Sequence, residues 1–525
     1  MTPHPSPGPS LDKTLLGQIH ARVLSQPEAI ALWADGEGWT YHELWHRAQV
    51  MASAINERGG SSPVCALYAF RNGPTYAAIL GILLAGRAYL PINPHWPSAR
   101  CLAVLVQAGT DCVVCASADR SEVQDLLSHG ALEDRPQILP IPEQDTAVPK
   151  QAETASLLAA RDQPLAYLLF TSGSTGAPKG VPIAKSCVES YVSTVRERYG
   201  FCSTDRLSQV FDLTFDLSVH DLFVAWTSGA ALYCVPDREL VAPAAFIETH
   251  RLTCWFSTPS MATLLDRFGL LDPGRFDSLR LSLFCGEPLT QRMARAWARA
   301  APNGPVENLY GPTEATIATT AHVFDPDREA QGDLVPIGQS FPDQVIQILT
   351  DDGTEAAQGE PGELLISGPQ LCAGYWRDPN QTQERFIRLP GSDAVWYRTG
   401  DLVHRDSEGD LHFRGRLDHQ IKVRGHRVEL GEIEAVLRSI AQTDQVAAFG
   451  WPRSEGTAQA VAAFVADSPM DNKAIQAACR DRLPSYMVPS AIRRLDRLPL
   501  NTSGKIDRAA LMEQLDSNHR EDGDA

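Results

Sequence analysis

LAYLLFTSGSTGAPKGV, residues 165–181, decides the fold. Leu165 to Phe170 is a run of core-type residues, short enough for a buried strand. It passes directly into Thr171, Ser172, Gly173, Ser174, Thr175 and Gly176, then Ala177, Pro178, Lys179 and Gly180. The glycines let this backbone bend and approach a ligand closely. Hydroxyls and free N–H groups offer donors to an anion, and Lys179 adds a positive charge. These are the properties of a phosphate-holding loop. The spacing departs from G-x-x-x-x-G-K-[ST], because Pro178 precedes the lysine and Gly180 follows it. A Ser/Gly linker is the plain alternative, disfavoured by the strand directly in front.

Strand and helix patterns alternate upstream of this loop. Ile30, Leu32 and Trp33 form a strand, 42–58 a helix, 64–68 a strand, 74–85 a helix and 88–92 a strand. Such alternation implies a helix-covered, mostly parallel sheet. Downstream, three strands at 255–260, 281–288 and 306–315 end in polar loops carrying Gly or Pro. Ligands sit at the carboxyl ends of parallel strands, so these loops are candidates for one shared site. From 345 to 415 short strands separated by Asp-Gly, Gly-Glu and Pro-Gly pairs imply a small antiparallel, β-barrel-like part. Beyond it the pattern is that of a separate α+β lobe. The division expected is 1–417 for a large core and 418–525 for a small lobe. Residues 117–162 are expected to be surface loop, and the C-terminal DSNHREDGDA a frayed tail.

Composition narrows the function. The 525 residues are 43% hydrophobic and 21% charged, which is globular and ample for more than one domain. A net charge of −18 argues against a nucleic-acid binder. No stretch is long and apolar enough for a membrane helix, and the Pro-rich leader MTPHPSPGPSLDK lacks the basic and apolar regions of a signal peptide. The eleven cysteines are scattered, fitting a reducing cytoplasm. Cys112-Val-Val-Cys115 lies in an apolar run and reads as buried strand rather than as a zinc or redox pair. In 209–223, Asp212, Asp216 and Asp221 stand among apolar residues, a costly place for a carboxylate without a partner. Asp216 reads either as a helix N-cap or as a carboxylate that binds an ammonium group. Lys505, in LPLNTSGKIDR, reads locally as a solvated lysine.

The motifs taken together resemble the adenylate-forming (ANL) superfamily, and within it the amino-acid adenylation domains of nonribosomal peptide synthesis. They are WTYHEL (39–44), LLAGRAYLPI (83–92), LLFTSGSTGAPKGV (168–181), FDLSVHDLF (215–223), NLYGPTEAT (308–316), PIGQ (336–339), GELLISGPQLCAGYW (362–376), YRTGDL (397–402), GRLDHQIKVRGHRVELGEIE (415–434) and LPLNTSGKIDR (498–508). The resemblance implies a two-step ligase. A carboxylate attacks the α-phosphate of ATP, giving an acyl-adenylate and pyrophosphate, and a thiol then takes the acyl group and releases AMP.

By this resemblance Thr171, Ser172, Gly173, Ser174, Thr175, Lys179 and Thr313 hold phosphates, and Glu314 holds Mg2+. Gly286, Glu287, Pro288, Asn308, Tyr310 and Gly311 wall the adenine, while Asp401 takes the ribose hydroxyls with Arg416 beside it. Lys505 is the catalytic lysine and Asp418 the hinge about which the small lobe turns. Asp216 matches the aspartate that pairs with the substrate's α-ammonium. Leu217, His220, Phe256, Leu283, Cys285, Leu309, Ile317 and Ala318 line the rest of a small, mostly apolar pocket. Phe256 with its aliphatic neighbours is similar to L-proline ligases. Cys285 and the phrases STPS and FDLSV are similar to D-alanine–carrier protein ligases. L-proline is favoured, with alanine or D-alanine next. The short stretch after Arg508 leaves no room for a carrier domain, so the thiol is expected on a discrete phosphopantetheinylated carrier protein in trans. A carboxylic acid:CoA ligase, and a catalytically silent binding protein on the same fold, are the alternatives.

Overall fold

The computed structural model describes residues 13–128, 135–142, 164–173, 177–327, 332–418, 420–454, 457–499 and 506–523. Leu165–Thr171 is a strand whose middle residues are all buried. It sits in a six-stranded sheet that carries, from one edge, Gln137–Pro140, Cys112–Cys115, Val64–Tyr68, Ala88–Ile92, Leu165–Thr171 and Lys179–Ala184. All neighbours are parallel except the last pair. Lys179 is therefore not a loop residue. It opens an antiparallel edge strand, with its Cα opposite Thr171. An edge is where a strand tolerates Pro182.

Two further elements correct the reading of 117–162 as surface loop. Arg120–Ser128 is a helix that buries Val123, Leu126 and Leu127, and Gln137–Pro140 extends the sheet beyond Cys112–Cys115. Their patterns are short and half-polar because each is buried on one side only. All four residues of Cys112–Cys115 are buried strand.

The second large sheet runs Gln339–Ser340, Thr320–Phe324, Val306–Tyr310, Leu281–Phe284, Cys254–Ser257, Arg206–Gln209, Ala231–Cys234, Ile30–Ala34 and Glu37–Thr40. Its centre is parallel and both edges are antiparallel. The helix Tyr41–Arg58 starts at a reciprocal cap: Thr40 accepts from the Glu43 amide while the Glu43 side chain accepts from Thr40. Such caps stabilise by about 1 kcal/mol. Leu217–Ser228 is a helix with every residue buried, which is why its sequence is apolar on all faces.

A third, antiparallel sheet holds Val345–Leu349, Gly362–Ser367, Val395–Arg405, Phe386–Arg388 and Leu411–Arg416. The remaining lobe packs helices Leu430–Ala441 and Asn472–Arg480 around the hairpin Gln420–Val423/His426–Glu429 and the sheet Val446–Gly450, Val461–Ala466, Pro489–Leu495. Its last helix, Arg508–Gly523, corrects the expectation of a frayed tail. Leu511 and Leu515 are fully buried, and a helix anchored at one turn propagates at little cost. The whole is a mixed α/β architecture of two large, helix-covered sheets, an antiparallel sheet and a small α+β lobe. Among the described residues no helix is long and apolar enough to cross a membrane.

Candidate active site

Three parallel strands, Cys254–Ser257, Leu281–Phe284 and Val306–Tyr310, end side by side. One cavity at these ends is lined by Thr171, Ser172, Asp216, Leu217, Cys285, Gly286, Tyr310, Gly311, Thr313, Asp401 and Arg416. Residues separated by more than two hundred positions in sequence thus meet around one space. The small lobe closes it with Gln420, Lys422, Gly425, His426, Arg427 and Tyr486.

The phosphate-loop candidates are partly described. A Cβ on Gly173 would overlap the Ala177 carbonyl oxygen, so the turn requires glycine. The Thr171 hydroxyl is buried without a hydrogen-bond partner among the described residues, a donor left for a ligand. Ser174 and Thr175 lie outside the described residues, as does Lys505. The flanks of Lys505, Leu498 and Ile506, pack in the small lobe's outer core with Phe449 and Phe464.

Asp216 begins the buried helix, but its side chain makes no capping bond. Burial pushes its carboxyl up to about 6; a side-chain hydrogen bond from Thr313 opposes this, and Glu314 adds to it. Lys422 and Arg427 act weakly in the other direction; among the described residues no ion pair reaches this carboxylate, which suits it to an incoming ammonium group. His220 stays neutral, its pKa pushed down to about 3 by burial. Its Nδ1 lies 2.8 Å from the Tyr191 hydroxyl. The Phe256 ring lies 4.6 Å from the His220 ring and 5.1 Å from Phe211. Leu283, Ile317 and Ala318 are at most 1% exposed. Burial also lifts the Cys285 thiol to about 12, so it stays protonated.

Thr316 and Ile317 both have positive φ, 55° and 72°. For a β-branched residue this is a strained backbone. Gln370 holds it: its carbonyl accepts from Thr316 Oγ1 at 2.6 Å and its amide donates to the Ala318 carbonyl at 2.8 Å.

A neighbouring cavity of about 590 Å3 is lined by Gly286, Glu287, Pro288, Asn308, Leu309, Tyr310, Gly311, Asp401 and Arg416. Asn308 Nδ2 donates to the Pro336 carbonyl at 2.9 Å. Its Oδ1 is buried and unpartnered among the described residues, an acceptor for an amine such as that of adenine. Asp401 and Arg416 face each other on adjacent antiparallel strands. Arg416 Nη1 is 2.5 Å from Asp401 Oδ1, while the Tyr310 hydroxyl donates to Oδ2. A carboxylate retains lone pairs for two hydroxyls beyond these bonds. Arg416 also grips Asp418 through Nε and Nη2, at 2.7 and 2.9 Å.

Glu314 is fully buried. Its Oε1 accepts from the Tyr375 hydroxyl at 2.8 Å and lies 3.4 Å from Lys179 Nζ, and its Oε2 is 2.8 Å from Arg427 Nη1. Burial works to raise this carboxyl, but Arg427 and then Lys179 outweigh it and hold it well below the usual carboxylate range. Lys179 is pushed down to about 8, chiefly by burial and then by Arg427. With both carboxylate oxygens taken by cations and a hydroxyl, a metal ion does not fit at Glu314 while the small lobe is seated in this way.

Sequence reasoning assigned no role to Arg427, Lys422 or Tyr375. The first two lie in GRLDHQIKVRGHRVELGEIE, whose basic strand was visible without its destination. Tyr375 closes GELLISGPQLCAGYW.

The family of AMP-binding enzymes matches residues 19–376, and the C-terminal domain of AMP-binding enzymes matches 432–505. Tyrocidine synthase 3 of Brevibacillus parabrevis is 32% identical over 511 residues, 95% of this chain and 8% of that protein. The chain thus spans a small part of this relative. The crystal structure of the Vibrio cholerae adenylation domain AlmE in complex with glycyl-adenosine-5′-phosphate is 33% identical. It superimposes with a TM-score of 0.85, covering 98% of this chain and 100% of that one. Holo-PA1221, a protein containing adenylation and PCP domains, is 25% identical with a TM-score of 0.77, covering 95% of this chain and 84% of that one. The chain belongs to the AMP-binding enzymes, the adenylate-forming ligases, as an adenylation domain of the nonribosomal-peptide-synthetase type.

Proposed function

We propose that this chain joins a small apolar amino acid to ATP as an aminoacyl-adenylate, releasing pyrophosphate. It then passes the aminoacyl group to the phosphopantetheine thiol of a carrier protein, releasing AMP. The observation that carries the reading is that the buried Asp216 carboxylate shares one cavity with Thr171, Ser172, Tyr310 and Asp401. An ammonium at Asp216 sets the substrate's own carboxylate beside the α-phosphate, which turns a bimolecular encounter into a positioned one. Asn308 and Tyr310 orient the adenine and Asp401 the ribose. Lys505, on the small lobe, supplies positive charge to the two reacting anions. Asp418, tied to Arg416, is the hinge, so 1–417 and 418–525 act as the two bodies. If Arg427 left Glu314, that carboxylate would hold Mg2+, which would supply positive charge to the phosphates.

Among apolar side chains we favour the smallest. The expectation of L-proline rested on Phe256, whose ring is packed against His220 and Phe211. The likeness to AlmE, crystallised with a glycyl-adenylate, supports glycine and alanine as substrates. Phe256→Ala is expected to raise exchange with larger apolar amino acids by about tenfold relative to glycine, the size of effect that methylenes give in an apolar pocket. Competition between glycine and leucine in ATP–pyrophosphate exchange checks it.

The pH dependence follows from Asp216. The ammonium site exists only when the carboxyl is ionised, which holds above about 6 and is lost below. KM for the amino acid is expected to be flat from pH 7 to 8 and to rise by about tenfold per unit below the pKa. A KM flat down to pH 5 contradicts the role.

A further inference from the structure

Glu314 and the candidate pocket residues Ile317 and Ala318 lie on one short turn. Thr313–Ala315 is a single helical turn, and Thr316 and Ile317 leave it with φ of 55° and 72°. Thr316, Ile317 and Ala318 are fully buried. Ile317 and Ala318 pack in one cluster with Phe256, Leu283, Cys285 and Leu309. The chain folds back tightly here: a Cβ on Gly311 would lie 2.6 Å from Ala318 Cα. Two consecutive β-branched residues in the left-handed region do not hold that shape by themselves. Buried carbonyls at such a turn also need donors, and one side chain meets three of them.

That side chain is Gln370, fully buried in the link between Gly362–Ser367 and the helix Pro379–Arg385. Its Nε2 donates to the Ala318 carbonyl at 2.8 Å and reaches those of Ala315 and Thr316 at 3.3 Å. Its own carbonyl accepts from Thr316 Oγ1 at 2.6 Å. Three acceptors around one terminal group require that group to be the nitrogen, since an oxygen there would face three carbonyls. Among the described residues Oε1 has no partner, so every side-chain hydrogen bond described for Gln370 goes to this turn. Glu314 is tied separately: its carbonyl accepts from the Cys372 amide at 2.9 Å and its Oε1 from the Tyr375 hydroxyl. We infer that Gln370 is a positioning residue for amino-acid selection, which fixes the strained Ala315–Ala318 turn as a wall of the substrate pocket without touching the substrate. This inference deepens the adenylation reading above and rests on it. Loss of the Gln370 amide frees Ile317 and Ala318. It leaves in place the nucleotide contacts assigned to Asn308, Asp401 and Arg416, which lie on other strands. Selection among amino acids is therefore lost before the binding of ATP.

The test is ATP–pyrophosphate exchange by the full chain carrying Gln370→Met, which is close in size but has no amide. The preference among glycine, alanine and leucine is expected to flatten by about tenfold, the scale on which an apolar pocket sorts methylenes. KM for glycine should rise by about tenfold while KM for ATP stays within about twofold. Thr316→Gly in the Gln370→Met background should restore part of the preference, because glycine takes a positive φ without strain. If Gln370→Met does not fold, Thr316→Val, which removes only the hydroxyl bond to the Gln370 carbonyl, replaces it with an expected flattening of about threefold. A second measurement needs no substrate: amide hydrogen exchange at Ala318 and Thr319 should speed up in the variant while 306–310 keeps its protection. A uniform loss of kcat with all three amino acids at an unchanged preference overturns the inference, because the glutamine then only supports the fold. Unchanged protection at 318–319 overturns it as well. If the unmodified chain exchanges with amino acids in either case, the adenylation reading stands and the Gln370 claim alone is lost. If the unmodified chain exchanges with none, the reading falls and the inference with it.

Discussion

Lys505→Ala is expected to lower adenylate formation by about a thousandfold, in line with the loss of one preorganised electrostatic group. Two anions must approach each other in the first step, and the cavity described here offers few cations that reach both. Arg416 is committed to Asp401 and Asp418, and Arg427 to Glu314. The same variant should pass the aminoacyl group from preformed adenylate to a carrier thiol at close to the original rate, because the second step needs no such cation between anions. The two rates are separated by measuring pyrophosphate exchange and single-turnover thioester formation side by side. Equal losses in both would remove the role assigned to Lys505.

Asp216→Ala is expected to cost about a hundredfold in kcat/KM for the amino acid. Removing one partner of a buried ion pair costs roughly 2–5 kcal/mol, and part of that is regained because alanine leaves no stranded carboxylate. The loss should be specific. If the ammonium is what Asp216 binds, activity with the deaminated acid of the same size should be unchanged or improved. A uniform loss with both substrates would mean that the aspartate only supports the buried helix that it begins.

The elements that position the site were legible where each carried its own local signal. Leu165–Thr171 announced itself by an uninterrupted apolar run, and the three parallel strands by apolar runs closed with Gly or Pro. The antiparallel sheet after 338 was readable from its turn pairs. Gln137–Pro140 was not, because only Leu139 of its four residues is buried and a sheet edge leaves a weak pattern. The strand at Lys179–Ala184 was hidden by Pro182, which is allowed there only because the strand is an edge. Asp216 was singled out because a carboxylate among apolar residues needs an explanation, and the structure places it in the cavity. Arg427 was missed for the opposite reason. An arginine in a basic strand looks solvated, and its partner Glu314 is 113 positions away. Only the docking of one lobe on the other brings them together.

Phe256 could as well have lined an open pocket as filled one, and its packing against His220 is a tertiary fact. Sequence named the candidate pocket residues one at a time; of these Asp216, Leu217 and Cys285 line the cavity and Leu309 lines its neighbour.

The most direct test of the account is ATP–pyrophosphate exchange by the purified chain across a panel of amino acids, each paired with its deaminated analogue. The account predicts exchange with glycine or alanine above all others, and none with the deaminated analogues. Exchange with no amino acid, or equal exchange with the deaminated acids, would contradict it.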